Sequence, residues 1–282
     1  MKSYFRTVHK IIKMMLKSLV SAQWLSKHLE DENLVVLYTT LVGKKETIPA
    51  EVENMKIRGA RFFDLKKKFS DQKTDLPNTF PSEEQFQKEC RELGINKNSK
   101  IVVYDTLGIY SSPRVWFLFK SMGHQKVFVL NGGFKEWVNL GYPKVSKNEE
   151  HFKRGNFEAK FQPVFLSDYG KIQNNLSTQV AQVIDARSTL RFKGEAPEPR
   201  EGLRSGNIPN SCNLHYTSLL DKGKYKSKEM LQQLFEPFEN EKELIFSCGS
   251  GITACILYLA ASELIQAKLS VYDGSWTEWG SR

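Results

Sequence analysis

Short apolar runs alternate with amphipathic stretches along the chain. Residues 34–38 (LVVLY), 101–104 (IVVY), 127–130 (VFVL), 180–184, 244–246 (LIF) and 268–272 are apolar and rich in β-formers. Runs of that length without a strict alternation predict strands buried on both faces. Helical patterns lie between them. Ser21 is placed to cap a helix through Trp24 and Leu29, and Ser82 with Gln85 has capping-box spacing ahead of a helix over 86–93 that stops at Gly94. Further helices are expected over 114–122, 134–140 and 228–235. Strands alternating with helices predict an α/β fold with largely parallel sheets flanked by helices. Residues 41–56 read as a polar, mixed loop with room for some helix, 59–64 (GARFFD) as a further apolar step, and the stretch holding Pro77 and Pro81 as a connecting loop.

The plan occurs twice. Val36-Leu37 recurs as Val183-Ile184, and Asp105 and Gly108-Ile109 recur as Cys248 and Gly251-Ile252 at a shift of 143. Leu130-Asn131-Gly132 through Trp137 recurs as Tyr272-Asp273-Gly274 through Trp279 at a shift of 142. So long a period means two copies of one domain and not a solenoid. The expected organisation is a basic N-terminal extension over 1–18, a first domain over 19–145, a charged aperiodic linker over 146–163 and a second domain over 164–282. The copies differ where chemistry would sit: Asp105 in the first stands where the second has Cys248.

Residues 244–261 (LIFSCGSGITACILYLAA) predict strand, tight turn and helix, with Cys248 at the mouth of the turn. Successive backbone N–H groups at such a turn, ahead of a helix N-terminus, can face an anion. A cysteine in an apolar segment is often buried and structural, but the flanking Gly249 and Gly251 favour a nucleophile. The run is uncharged through Ser262, yet its Gly-Ser-Gly break divides it into two short elements, so no membrane span is expected.

Composition narrows the classes. Four cysteines (Cys90, Cys212, Cys248, Cys255) without a CxxC pair, and five histidines, argue against a zinc site or a disulfide framework and for a reducing compartment. The net charge of +9 is concentrated in Lys2, Arg6, Lys10, Lys13, Lys17 and Lys27, all ahead of the first acid, Glu30. The rest is nearly balanced, so nucleic acid is not an expected partner. The basic leader with Ile11, Ile12, Met14, Met15 and Leu16 fits an organelle-targeting segment or a plain basic tail.

Together these pieces resemble the two-domain rhodanese sulfurtransferases. The loop from Cys248 to Ala254 resembles that of the 3-mercaptopyruvate sulfurtransferase branch, and Arg58–Asp64, Ser112–Trp116, Asp185–Ser188, Arg191–Gly194, Pro197–Arg200 and Tyr272–Trp276 extend the resemblance over about residues 19–280. The resemblance implies two tandem rhodanese-like domains, the first non-catalytic and the second catalytic. It makes Cys248 the sulfur carrier and Ser250 the proton-handling residue. Arg191 and Arg200 would hold the substrate carboxylate and carbonyl, with Gly249, Gly251, Ile252 and Thr253 completing the binding loop. Arg187, next to the strand-end Asp185, reads as structural; Arg191 and Arg200 have surface ion pairing as their alternative. The family's His-Ile-Pro-Gly step is Lys56-Ile57-Arg58-Gly59 here, and Asn207-Ile208-Pro209-Asn210 in the second half. The family relay of Ser, His and Asp would draw its histidine from near the first step, so Lys56 is expected to interrupt it; His215 is expected to be an ordinary imidazole.

The expected reaction moves sulfur from 3-mercaptopyruvate, through a Cys248 persulfide, to thioredoxin, a small thiol or cyanide. It needs no metal or organic cofactor, and it suits the cytoplasm or mitochondrion. Thiosulfate is the alternative donor. A phosphatase of similar fold would need Arg six residues after Cys248, where Ala254 stands. A non-catalytic binding module would leave the intact Cys248 unexplained.

Overall fold

The computed structural model describes residues 16–41, 53–148 and 151–282. Most of the N-terminal extension, and most of the loop expected over 41–56, lie outside these residues. The chain opens with β1 (Leu19–Val20), α1 (Ala22–His28), β2 (Leu34–Thr39), β3 (Met55–Ile57), β4 (Arg61–Phe62) and α2 (Glu83–Glu92). It continues with β5 (Lys100–Asp105), α3 (Ser112–Ser121), β6 (Val127–Leu130), α4 (Gly133–Asn139) and β7 (Lys144–Ser146). Five strands form a parallel sheet in the order β1-β6-β5-β2-β4, and β3 pairs antiparallel with β7. Ser21 and Ser82 cap α1 and α2 through their side chains. Gln85 does not return the bond to Ser82; its amide goes to the carbonyls of Lys68 and Ser70.

The second half holds β8 (Leu166–Ser167), α5 (Tyr169–Thr178), β9 (Gln182–Asp185), α6 (Thr189–Lys193) and β10 (Cys212–Asn213). Then come β11 (Leu220–Asp221), β12 (Lys224–Tyr225), α7 (Lys228–Phe235), β13 (Glu243–Ser247), α8 (Ala254–Leu264), β14 (Lys268–Tyr272) and α9 (Ser275–Trp279). Its parallel sheet runs β10-β9-β13-β14-β8, the first sheet's order strand for strand when read from the other edge. Register matches too. Val36 faces Val102 and Val183 faces Ile245, while Ile101 faces Val127 and Leu244 faces Leu269. β9 begins two residues later than expected, because the amide and carbonyl of Ala181 are taken by the Asn175 side chain and not by a strand.

The halves clasp each other. Helices α3 and α8 are buried almost throughout and share one hydrophobic core, with Trp116 and Phe117 against Tyr258. This explains the uncharged run: a helix apolar on all sides belongs inside. Around that core the contacts are reciprocal. The Phe80 amide, just before the Ser82 cap, donates to Asp273 Oδ2 at 2.7 Å. The Tyr225 amide, just before the Ser227 cap of α7, donates to Asn131 Oδ1 at 3.0 Å. Each half lays the segment before one helix over the other half's loops. Residues 151–162 contain no helix or strand, yet they are pinned to the first half: Phe157 is fully buried, and Arg91, Ile95, Met122 and Ser121 bond to their backbone.

Candidate active site

Strand β13 delivers residues 248–253 as a loop that ends where α8 begins. The Cys248 side chain is buried at the base of this loop. Ser275 Oγ braces it, accepting from the amides of Cys248 and Gly251 at 3.2 Å each and donating to the Tyr272 carbonyl at 2.8 Å. The Trp276 and Thr277 amides close on the carbonyls of Cys248 and Gly249, each at 2.9 Å. Gly251 has φ of +75°, and a Cβ there would lie 3.1 Å from the Asp273 carbonyl, so the turn needs glycine. Among the described residues, the amides of Gly249, Ser250, Ile252 and Thr253 find no acceptor. Ile252 is buried in the shared core and Thr253 is partly exposed at the helix start, so each can serve the loop through its backbone.

The matching loop of the first half shows what such a turn does with an anion. The Asp105 carboxylate accepts from the amides of Leu107 (3.0 Å), Tyr110 (2.9 Å), Ser111 (3.0 Å) and Ser112 (2.9 Å), and from Ser112 Oγ (2.8 Å). Burial pushes its carboxyl upward and these donors oppose that. The mouth of this loop is shut, since a Cβ on Gly108 would meet the Gly223 carbonyl at 2.6 Å. The first loop is thus filled by its own side chain and sealed by the β11–β12 turn.

The second loop opens instead toward two arginines. A Cβ built on Gly249 would lie 3.3 Å from Arg191 Nη2 and 4.0 Å from Arg200 Nη1. Arg200 donates to Ser250 Oγ at 3.3 Å and to Thr277 Oγ1 at 3.2 Å, and has no carboxylate partner among the described residues. Arg191, on α6, is gripped by Glu198 at 3.2 and 2.5 Å. Glu198 also binds Arg187, which is buried on Asp185, the Gly206 carbonyl and the Trp276 ring. Arg187 is structural, as the sequence suggests. From the first half come Asn78, whose Nδ2 donates to Ser250 Oγ at 3.0 Å, and Arg114, which binds Asp273 at 2.7 Å and the Asn78 carbonyl at 2.9 Å. The buried Cys255 donates to the Gly251 carbonyl, and burial pushes its thiol up to about 12.

The Rhodanese-like domain model matches residues 21–140 and 168–282, one match on each sheet. The chain belongs to the rhodanese family. It is 36% identical to the mouse 3-mercaptopyruvate sulfurtransferase over 94% of this chain and 93% of that one. It is also 36% identical to the mitochondrial thiosulfate/3-mercaptopyruvate sulfurtransferase 1 of Arabidopsis thaliana, over 93% of this chain and 76% of that protein. The crystal structure of the 3-mercaptopyruvate sulfotransferase SseA from Escherichia coli superposes with a TM-score of 0.81 at 32% identity, covering 92% of this chain and 98% of that chain.

One expectation for this rhodanese needs correcting. Lys56 does not stand beside Ser250: it is buried within the first half, donating to the Ala60 carbonyl at 3.0 Å. The side chain that reaches Ser250 from the first half is Asn78, at a left-handed φ of 61° that asparagine tolerates. It sits between Pro77 and Pro81 in what reads as a connecting loop, and only the docking of the two halves brings it to the site. His215 pairs with Thr217 at 2.8 Å. Among the described residues no group of three or more His, Cys, Asp or Glu is arranged for a metal, and no helix is long and apolar enough to cross a membrane.

Proposed function

We propose that this rhodanese is a 3-mercaptopyruvate sulfurtransferase working through Cys248. The observation that carries the reading is the pair of matched loops: five donors converge on the Asp105 carboxylate in one, and the other leaves its amides open around Cys248 and faces Arg191 and Arg200. Arg200, with Arg191, takes the carboxylate and carbonyl of a 2-oxo acid through charge-assisted bonds. The Cys248 thiolate attacks the donor sulfur. The S–S bond forms as the carbon–sulfur bond breaks, and the bonding electrons leave as pyruvate enolate. Ser250 assists protonation of that enolate, which yields pyruvate. The donor's S–H proton is lost to water, which leaves the outer sulfur of the persulfide anionic, and the loop amides hold it as the first loop holds Asp105.

The cycle closes when an acceptor attacks the outer sulfur and releases the Cys248 thiolate. A thiol, from thioredoxin or a small molecule, suits this step, as does cyanide. All four cysteines are free thiols, which fits the cytoplasm or the mitochondrion. Thiosulfate is the second donor to consider, since one relative carries both substrates in its name. The neutral Gly249 and Ser250 give this dianion none of the extra Coulomb attraction that basic residues in the loop would supply. Pyruvate release from 3-mercaptopyruvate, measured beside thiocyanate formation from thiosulfate, tests the reading. The first should exceed the second; absence of pyruvate release would overturn it.

A further inference from the structure

Ser250 Oγ has two lone pairs and one proton. Arg200 Nη2 donates to it at 3.3 Å and Asn78 Nδ2 at 3.0 Å. The amide's orientation is fixed by its surroundings, because the same Nδ2 lies 3.5 Å from the Ser250 carbonyl oxygen, an acceptor that the amide oxygen would be repelled by. Both donors are incapable of accepting: a guanidinium has no free lone pair, and the NH2 end of an amide is a donor only. Ser250 itself is 8% exposed, so water does not readily replace either partner. With both lone pairs engaged, the hydroxyl proton is left to point at a third group.

We infer that Asn78 is a positioning residue which, together with Arg200, makes Ser250 a hydrogen-bond donor and not a base. This rests on the proposed sulfur transfer and says how its proton-handling group is set. Two donors on Ser250 Oγ draw electron density from it and strengthen the O–H as a donor. That O–H then bonds to the enolate oxygen as the carbon–sulfur bond breaks. The proton that reaches the enolate carbon comes from water, and Ser250 keeps its own. Asn78 has no group that titrates near neutral pH, so no acid–base step passes through it. The first half, which carries no nucleophile in its own loop, therefore completes the site of the second.

The test is a double-mutant cycle on pyruvate release from 3-mercaptopyruvate, with full kinetics from pH 6 to 8.5. Asn78→Ala should lower kcat by about tenfold and move KM by less than about twofold, since the group acts on the transition state and not on ground-state binding. In the Ser250→Ala background the same change should cost nearly nothing, because Asn78 acts through the hydroxyl. Asn78→Asp is near-isosteric but accepts when ionised, so it should capture the Ser250 proton and fall below Asn78→Ala throughout pH 6 to 8.5, where a carboxylate stays ionised and the two variants share one pH profile. Persulfide formation on Cys248 from thiosulfate, read by mass spectrometry, verifies that each variant is folded. Equal loss from Asn78→Ala in both backgrounds, or Asn78→Asp matching the wild type, overturns the inference and leaves the sulfurtransferase reading standing. A wild-type protein that releases no pyruvate overturns both.

Discussion

Glu198 holds Arg191 by two bonds and Arg187 by a third, all from a carboxylate whose side chain is 2% exposed. The two arginines facing the loop are therefore unequal. Arg191 is already compensated and rigidly aimed, whereas Arg200 carries the charge that no carboxylate balances among the described residues. An incoming carboxylate gains more from the uncompensated cation.

Arg200→Ala should consequently lower kcat/KM for 3-mercaptopyruvate by about 100-fold, and Arg191→Ala by about tenfold, within the range for charged hydrogen bonds. Lysine should rescue either position poorly, because it lacks the planar fork. Steady-state kinetics on both variants measure this; equal losses would show that Glu198 does not set the balance.

Cys248→Ser should abolish sulfur transfer, while Cys90, Cys212 and Cys255 each tolerate serine with at most a loss of stability. Cys90 and Cys255 are buried, and Cys212 is exposed at the start of the second sheet's edge strand β10. Mass spectrometry after exposure to the donor should find one added sulfur, on the peptide holding Cys248. Added sulfur confined to another cysteine would remove the basis for the mechanism.

Arg114 and Asp273 form an ion pair across the two halves, at 2.7 Å with the arginine 1% exposed. Removing one partner strands the other charge. Arg114→Ala should cost about 3–5 kcal/mol in urea unfolding, and pairing it with Asp273→Leu should recover part of that. No recovery in the double variant would mean that Asp273 matters mainly through the Phe80 amide.

Much of this was legible in the sequence, for definable reasons. Runs such as 101–104 and 244–246 stand out as continuous apolar stretches, and the glycines of the Cys248 loop announce a turn, which at Gly251 needs a left-handed backbone. Strands of two residues, such as β1, β8 and β10, are too short to carry a pattern. The contact of Asn78 with Ser250 joins residues 172 apart, and it exists because α3 and α8 bury against each other. Lys56 looked like the point of departure because it lies in a recognisable motif; Asn78 lies in none.

Stability should fall as pH climbs above about 9. Burial pushes the Cys255 thiol up to about 12, and it also raises the phenols of Tyr104, Tyr225, Tyr258 and Tyr272. Unfolded, these groups release protons at roughly pH 8.5–10. Above that range the folded chain binds more protons than the unfolded one, so raising the pH favours unfolding. Their stabilising contribution is whole below the unfolded values and is lost progressively towards the folded ones. Urea midpoints at pH 8, 9, 10 and 10.5 should decline in order; a midpoint constant to pH 10.5 would contradict the burial of these groups.

Donor choice should be made at Gly249 and Ser250. Neither is charged, so attraction for an anionic donor comes from Arg191, Arg200 and the loop amides. A side chain on Gly249 would emerge 3.3 Å from Arg191 Nη2, and the backbone there is not left-handed, so the main cost of filling it is electrostatic. Gly249→Arg with Ser250→Lys would add two positive charges beside the bound donor. Coulomb attraction scales with the donor's charge, so a dianion gains more than a monoanion. The same change removes the hydroxyl that Asn78 and Arg200 hold, which slows pyruvate release but not the departure of sulfite. The ratio of thiosulfate to 3-mercaptopyruvate activity should rise by about tenfold, equivalent to roughly 1.4 kcal/mol. Steady-state kinetics with both donors at one ionic strength measure it, since salt screens these charges. An unchanged ratio in a folded variant, with Cys248 still forming its persulfide, would move donor selection away from this loop and onto the arginines alone.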